Sequence, residues 1–171
     1  MLNNFTSIIK MQEKLDLDIF QKFSKTYGET FAQRKLALLV ELAELANEVR
    51  SFKYWSLKEA SDKAIILDEY ADGLHFIAGF CVMYKIEGLI EVKDFVKIAD
   101  KNKISKKFNK LFAIASSLDE DDNKKKSVKK IDKYFSKYLE LGYALGFKFA
   151  DIQNAYLAKH EVNINRQKNN Y

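Results

Sequence analysis

The chain has 171 residues, 47% hydrophobic and 31% charged, with no proline and six glycines. This excludes a disordered tail and a disulfide-stapled miniprotein, and so few obligatory chain breaks favour long helices over a turn-rich β fold. Twenty-nine Lys and Arg against twenty-four Asp and Glu leave a formal charge of +5, a mild excess that favours anionic ligands without separating nucleotide from nucleic acid or membrane.

Apolar residues at Phe5, Ile8, Ile9, Met11 and Leu15, then Ile19, Phe20 and Phe23, recur near helical spacing and predict a helix pair or one broken helix ending before Gly28. From about Thr30 to Phe52 a stripe of Leu36, Leu39, Val40, Ala43, Ala46 and Val49 predicts a second helix. Ser56 and Glu59 have the spacing of a capping box, so a long third helix is expected from near Leu57 to about Ile86. Helical apolar positions follow at Val92, Phe95, Val96, Ile98 and Ala99, and again from Phe108 to Ala115, with a polar lysine-rich interval between them. Residues 119–126 lack apolar side chains and read as the most exposed loop. A helix over Val128 to Leu141 and a last one from Phe149 or Asp151 to about Asn165 complete an all-α bundle of about five to seven helices, expected as a single domain over 1–171. Beyond that, Arg166 to Tyr171 is polar and reads as a frayed end.

The single cysteine, Cys81, forms no intrachain disulfide and fits a reducing compartment. Met1 to Asn4 has neither the basic nor the apolar region of a signal peptide, and the longest apolar run, Phe76 to Tyr84, falls well short of the about 20 residues that cross a bilayer. A cytoplasmic protein without a membrane segment is expected.

Glu41 and Glu44 lie three residues apart on the second predicted helix, so both carboxylates project from one face. Glu69 and Asp72 repeat the spacing on the third. In an antiparallel hairpin the two pairs face each other, and four unneutralised carboxylates in a partly buried site repel one another. A divalent cation removes the conflict, and all-oxygen ligation suits Mg²⁺, which keeps positions open for water and substrate phosphates. One E-x-x-E is common on solvated helices; two such pairs flanked by Leu42, Leu45, Leu67 and Leu74 are less so. Lys159, Asn163 and Arg166 share a face of the last helix and form a candidate phosphate clamp, with arginine able to bind bidentately and lysine acting as a point charge.

The stretch from Glu41 through Glu44 to Phe52-Lys53-Tyr54-Trp55-Ser56, followed by Asp68-Glu69 and Asp72-Gly73-Leu74-His75-Phe76, resembles the all-α dimeric dUTPase family, within the MazG-like nucleotide pyrophosphohydrolases. The C-terminal stretch from Tyr156 to Gln167, with Lys159, Asn163 and Arg166, and the N-terminal stretch from Met11 to Asp16 extend the resemblance over nearly the whole chain. It implies a homodimeric enzyme that hydrolyses dUTP to dUMP and pyrophosphate, limiting uracil incorporation into DNA and supplying dUMP. By that likeness Mg²⁺ is held by Glu41, Glu44, Glu69 and Asp72, and Glu44 also positions or deprotonates the attacking water. The same likeness makes Gln12 a reader of the uracil edge, Trp55 a wall for the base, Lys53 a phosphate contact, and His75 and Phe76 a lining of the nucleoside pocket. The chain departs from the family pattern at His160, where asparagine is common, at Gly73, where alanine is common, and at Asn170-Tyr171, where Gly-Tyr is expected.

Three alternatives stand beside this. A MazG-like enzyme acting on dCTP or another nucleoside triphosphate would share the metal site. A di-iron carboxylate bundle finds only one D-x-x-H unit, Asp72 to His75, where two E-x-x-H units are usual. A non-catalytic helical module would bind nucleic acid or protein through Lys101, Lys103, Lys106, Lys107 and Lys110, or through Lys124 to Lys130, but these lysines form no recognition motif, and stable nucleic-acid binding is not expected.

Overall fold

The structure, a computed structural model, describes residues 2–93 and 96–169. Among them are six helices: α1 (Thr6–Phe23), α2 (Phe31–Val49), α3 (Lys63–Tyr84), α4 (Lys101–Ser116), α5 (Lys124–Ala144) and α6 (Phe149–Lys168). Two three-residue strands, β1 (Leu2–Asn4) and β2 (Leu89–Glu91), pair antiparallel with Asn3 opposite Ile90. The fold is all-α, as the scarcity of chain breaks implied. No helix among the described residues is long and apolar enough to cross a membrane.

α3 is the hub, packed by α1, α2, α5 and α6. Its apolar side chains point in nearly every direction, and Tyr70, Leu74, Ile77, Ala78, Phe80 and Cys81 are all fully buried. A helix that is apolar on all sides belongs in the interior. Where α3 meets α5 the Tyr70 and Tyr138 rings stack with centroids 4.4 Å apart. The Tyr70 hydroxyl donates to the Tyr138 carbonyl at 3.0 Å, and the Tyr138 hydroxyl returns the bond to the Tyr70 carbonyl at 2.8 Å. Gly73 makes the approach possible, since a Cβ there would stand 2.3 Å from the Tyr138 hydroxyl. Gly73→Ala should therefore destabilise the fold by about 1–3 kcal/mol, the usual cost of overpacking a core; the midpoint of urea unfolding measures it.

Several boundaries differ from the sequence expectation. The first segment is one unbroken helix, with Ser24 closing it in the left-handed region at φ 51°. α3 begins at Lys63 instead of Leu57. The Ser56 hydroxyl accepts from the Arg50 guanidinium at 2.8 Å and from the Lys58 amide at 3.2 Å, and the Ser61 amide donates to the Glu48 carbonyl, so this connection is tied back to the end of α2. The lysine-rich interval is the start of α4, where the Asp100 carboxylate accepts from the Asn102 and Lys103 amides. Ile104, Phe108, Leu111 and Ala115 form its buried stripe, while Lys101, Lys103, Lys106 and Lys110 are exposed and Lys107 pairs with Glu140 of α5. No helix covers Val92 to Ala99 among the described residues; Val92 is buried beside β2, and Phe95 lies outside them. α5 extends beyond both expected ends, from its Asn123 cap through Gly142 to Ala144, and Arg166 to Lys168 continue α6 instead of fraying.

The expected stripe on α2 is also corrected. Leu36 and Val40 are exposed, 62% and 44%, and the face that enters the core carries Phe31, Leu38, Leu42, Leu45, Ala46 and Val49. α2 has two apolar faces, and helical periodicity alone does not choose between them.

Candidate active site

The site lies where α1, α2 and α6 meet one face of α3. Asp72, His75 and Phe76 line that face at helical spacing; Glu41 comes from α2, Gln12 and Asp16 from α1, and Asn163 and Arg166 from α6, around a cleft of about 420 Å³. Ligand oxygens of Glu41, Glu69 and Asp72 all lie within 4.8 Å of one another. Glu44 stands outside this compact triad, exposed on the next turn of α2, where its charge still bears on Glu41 and Glu69.

Electrostatics follow from crowding acids in a half-buried place. Burial, then repulsion from Asp72, Glu44 and Glu69, pushes the Glu41 pKa up to about 7. Burial followed by Asp72 and Glu44 raises Glu69, and burial raises Asp72 although Lys159 opposes it. Lys159 reaches across from α6, its Nζ 2.7 Å from Asp72 Oδ2 and 2.8 Å from Asp68 Oδ2. Burial works against the Lys159 charge, but the two aspartates outweigh it and its pKa is raised. One ammonium thus offsets only part of the acidic charge. Three converging carboxylates, still in electrostatic conflict and offering only oxygen, suit a hard divalent cation.

Behind the cleft lies a buried polar network. Gln12 bonds Asp16, His75 and Tyr156, and Asp16 pairs with Arg34 at 2.8 Å. Burial, assisted by His160, drives the His75 pKa down to about 3, so its ring is neutral at physiological pH. His75 stacks on Tyr156 with centroids 4.1 Å apart, and its Nδ1 is bonded to Gln12. The acidic triad contains no histidine, which removes the support for a di-iron reading.

The residues proposed from sequence therefore separate into groups. Gln12, Glu41, Asp72, His75, Phe76, Asn163 and Arg166 line one cleft, with Glu69 and Lys159 joined to it through the acids. Lys53 and Trp55 do not line it: the Lys53 ammonium bonds Asn47, and Trp55 is 65% exposed on the α2–α3 connection. Asn170 and Tyr171 lie outside the described residues. His160 is buried, its ring parallel to His75 and Tyr156. Sequence reasoning missed Arg34, Asp68 and the role of Asp16. Asp16 lies one helical turn beyond Gln12, a spacing that places both on one face; Arg34 carries no comparable local signal.

A family model for dUTPase matches residues 4–171, which puts the molecule among the nucleotide-hydrolysing enzymes. The chain belongs to the all-α dimeric dUTPase family, and it is a dUTP diphosphatase. The family generally uses a divalent metal, for which the Glu41, Glu69 and Asp72 cluster is a candidate site. Comparison with curated proteins finds none that matches the chain.

Proposed function

We propose that the chain hydrolyses dUTP to dUMP and pyrophosphate with Mg²⁺ held by Glu41, Glu69 and Asp72, and with Glu44 acting from the edge of that triad. The observation that carries this is the convergence of three carboxylates beside a cleft that Asn163 and Arg166 also line, with Lys159 paired to Asp72. Mg²⁺, when bound, supplies charge neutralisation for the triphosphate and acidifies a coordinated water. Glu44, exposed to solvent at the edge of the triad, would serve as the general base for the attacking water. Arg166 and Lys159 hold phosphate oxygens, the former by its planar fork and the latter as a point charge. Gln12 and Asn163 supply amides to the base, and His75 and Phe76 wall the nucleoside. Initial rates on a panel of dUTP, dCTP, dTTP and UTP, each with and without Mg²⁺, test this: the proposal requires metal-dependent release of pyrophosphate, fastest from dUTP. Equal rates on all four would favour the broader MazG-like alternative.

The proposed assembly is a homodimer. Its support is the second apolar face of α2, with Leu36 and Val40 in water, continued by Phe52, Tyr54, Trp55 and Leu57, all exposed. Lys53 and Trp55 do not line the cleft of their own chain, and a second copy packed on this face would supply a route for them to reach substrate. Leu36→Asp should convert the dimer to monomer and cut dUTP turnover with it, read by sedimentation and rates on the same sample. A wild-type monomer with full activity would remove the proposal.

A further inference from the structure

A glutamine side chain presents either a carbonyl oxygen or an N–H, and a half-turn of the amide exchanges the two. In Gln12 the choice is set by its neighbours. Nε2 donates to Asp16 Oδ1 at 2.8 Å. Oε1 lies 3.1 Å from the Tyr156 hydroxyl and 2.7 Å from His75 Nδ1, both able to donate. As a carboxylate Asp16 only accepts, and its Oδ2 already takes two donors, the Arg34 guanidinium at 2.8 Å and the Tyr27 hydroxyl at 3.0 Å. The oxygen of Gln12 is therefore occupied, and what remains for the cleft is the second N–H of Nε2.

The Asp16–Arg34 pair has been given room. It sits against α3 at Gly79, where a Cβ would stand 1.8 Å from Arg34 Nη2 and 3.0 Å from Asp16 Oδ2. The guanidinium also lies over the Tyr27 ring at 5.0 Å and the Phe20 ring at 5.6 Å. α3 gives up a side chain in its middle, where glycine is unfavourable, and the space is filled by this ion pair.

We infer that Asp16, clamped by Arg34 beneath Gly79, is a positioning residue that fixes Gln12 as an N–H donor toward the base, so that the site selects a uracil carbonyl over a cytosine amino group. A carbonyl accepts this N–H; an amino group in the same place sets donor against donor and leaves both unpaired. The inference rests on Gln12 facing the base, as proposed above.

The test compares kcat and KM for dUTP and dCTP in the wild type and in Asp16→Asn, Gly79→Ala and Gln12→Ala, with thermal melts to establish folding. Asparagine keeps the shape of Asp16 but offers either an oxygen or an N–H, which lets the Gln12 amide turn over. Asp16→Asn should lower the preference for dUTP over dCTP by about tenfold or more, chiefly through KM for dUTP. Gly79→Ala, which crowds the guanidinium and the Asp16 carboxylate while keeping both residues and Gln12 in the sequence, should shift the preference in the same direction and decides the matter should Asp16→Asn not fold. Proportional losses on both nucleotides, or an unchanged preference, would overturn the role of Asp16. Collapse of the preference in Gln12→Ala alone leaves the base-facing reading standing without Asp16; an unchanged preference in Gln12→Ala overturns that reading itself.

Discussion

Glu41→Gln should lower kcat/KM for dUTP by about a thousandfold, the equivalent of roughly 4 kcal/mol of transition-state stabilisation lost with a metal ligand, while making the metal-free protein more stable at alkaline pH. The two effects have one cause. Glu41 is half-buried among Asp72, Glu44 and Glu69, and its pKa of about 7 means that the folded chain holds this proton more tightly than the unfolded chain does. Its contribution to stability is complete below the ordinary value of 4.5 and is lost as pH rises through 7. Glu69 and Asp72 are shifted in the same direction. Without metal, the wild type should therefore melt at lower temperature at pH 8 than at pH 6, and Mg²⁺ should restore the loss by binding the folded state. Glutamine carries no charge to repel, so the variant should melt above the metal-free wild type at pH 8 and respond weakly to Mg²⁺. Melting curves at two pH values with and without the ion check this, and a wild type indifferent to both pH and Mg²⁺ would refute the metal assignment.

Glu44→Gln should lower kcat by about a hundredfold to ten-thousandfold, the range for losing a positioned general base, with the Mg²⁺ response of the melting temperature retained. Glu44 stands outside the triad, so removing its charge leaves the three converging ligands in place. KM for dUTP should change little, because the proposed role is exerted on water. The contrast with Glu41→Gln is the diagnostic: one variant loses the ion and the rate together, the other keeps the ion and loses the rate. Activity retained in Glu44→Gln would transfer the proton-accepting role to another group.

Much of the site was legible because its chemistry repeats at short range. Glu41 with Glu44, Glu69 with Asp72, and Lys159 with Asn163 and Arg166 each sit at helical spacing on one element, and the structure brings α2, α3 and α6 together. What was hidden is long-range. The Asp16–Arg34 pair joins two helices, and no local pattern announces that Arg34 turns inward beneath Gly79. The face of α2 was misread because both of its faces are apolar, and burial is decided by α3 and not by α2 itself. The false start at Leu57 has a similar origin, since the capping hydroxyl of Ser56 had a competing partner in Arg50. The lysine-rich opening of α4 shows the converse: its composition is polar, yet Ile104 and Phe108 keep the helical period.

The paired tyrosine bonds between α3 and α5 bear on how the enzyme can move. Two tethers running in opposite senses across the same contact resist both sliding and rotation of one rod on the other, and Tyr70 sits directly between the acidic positions Glu69 and Asp72. The acid-bearing turn of α3 is thereby a stationary reference. Any closing movement around a nucleotide must be carried by α1, α2 or α6 toward it, so amide exchange should be slowest around Tyr70 and Tyr138 and should change on nucleotide addition in the other three helices.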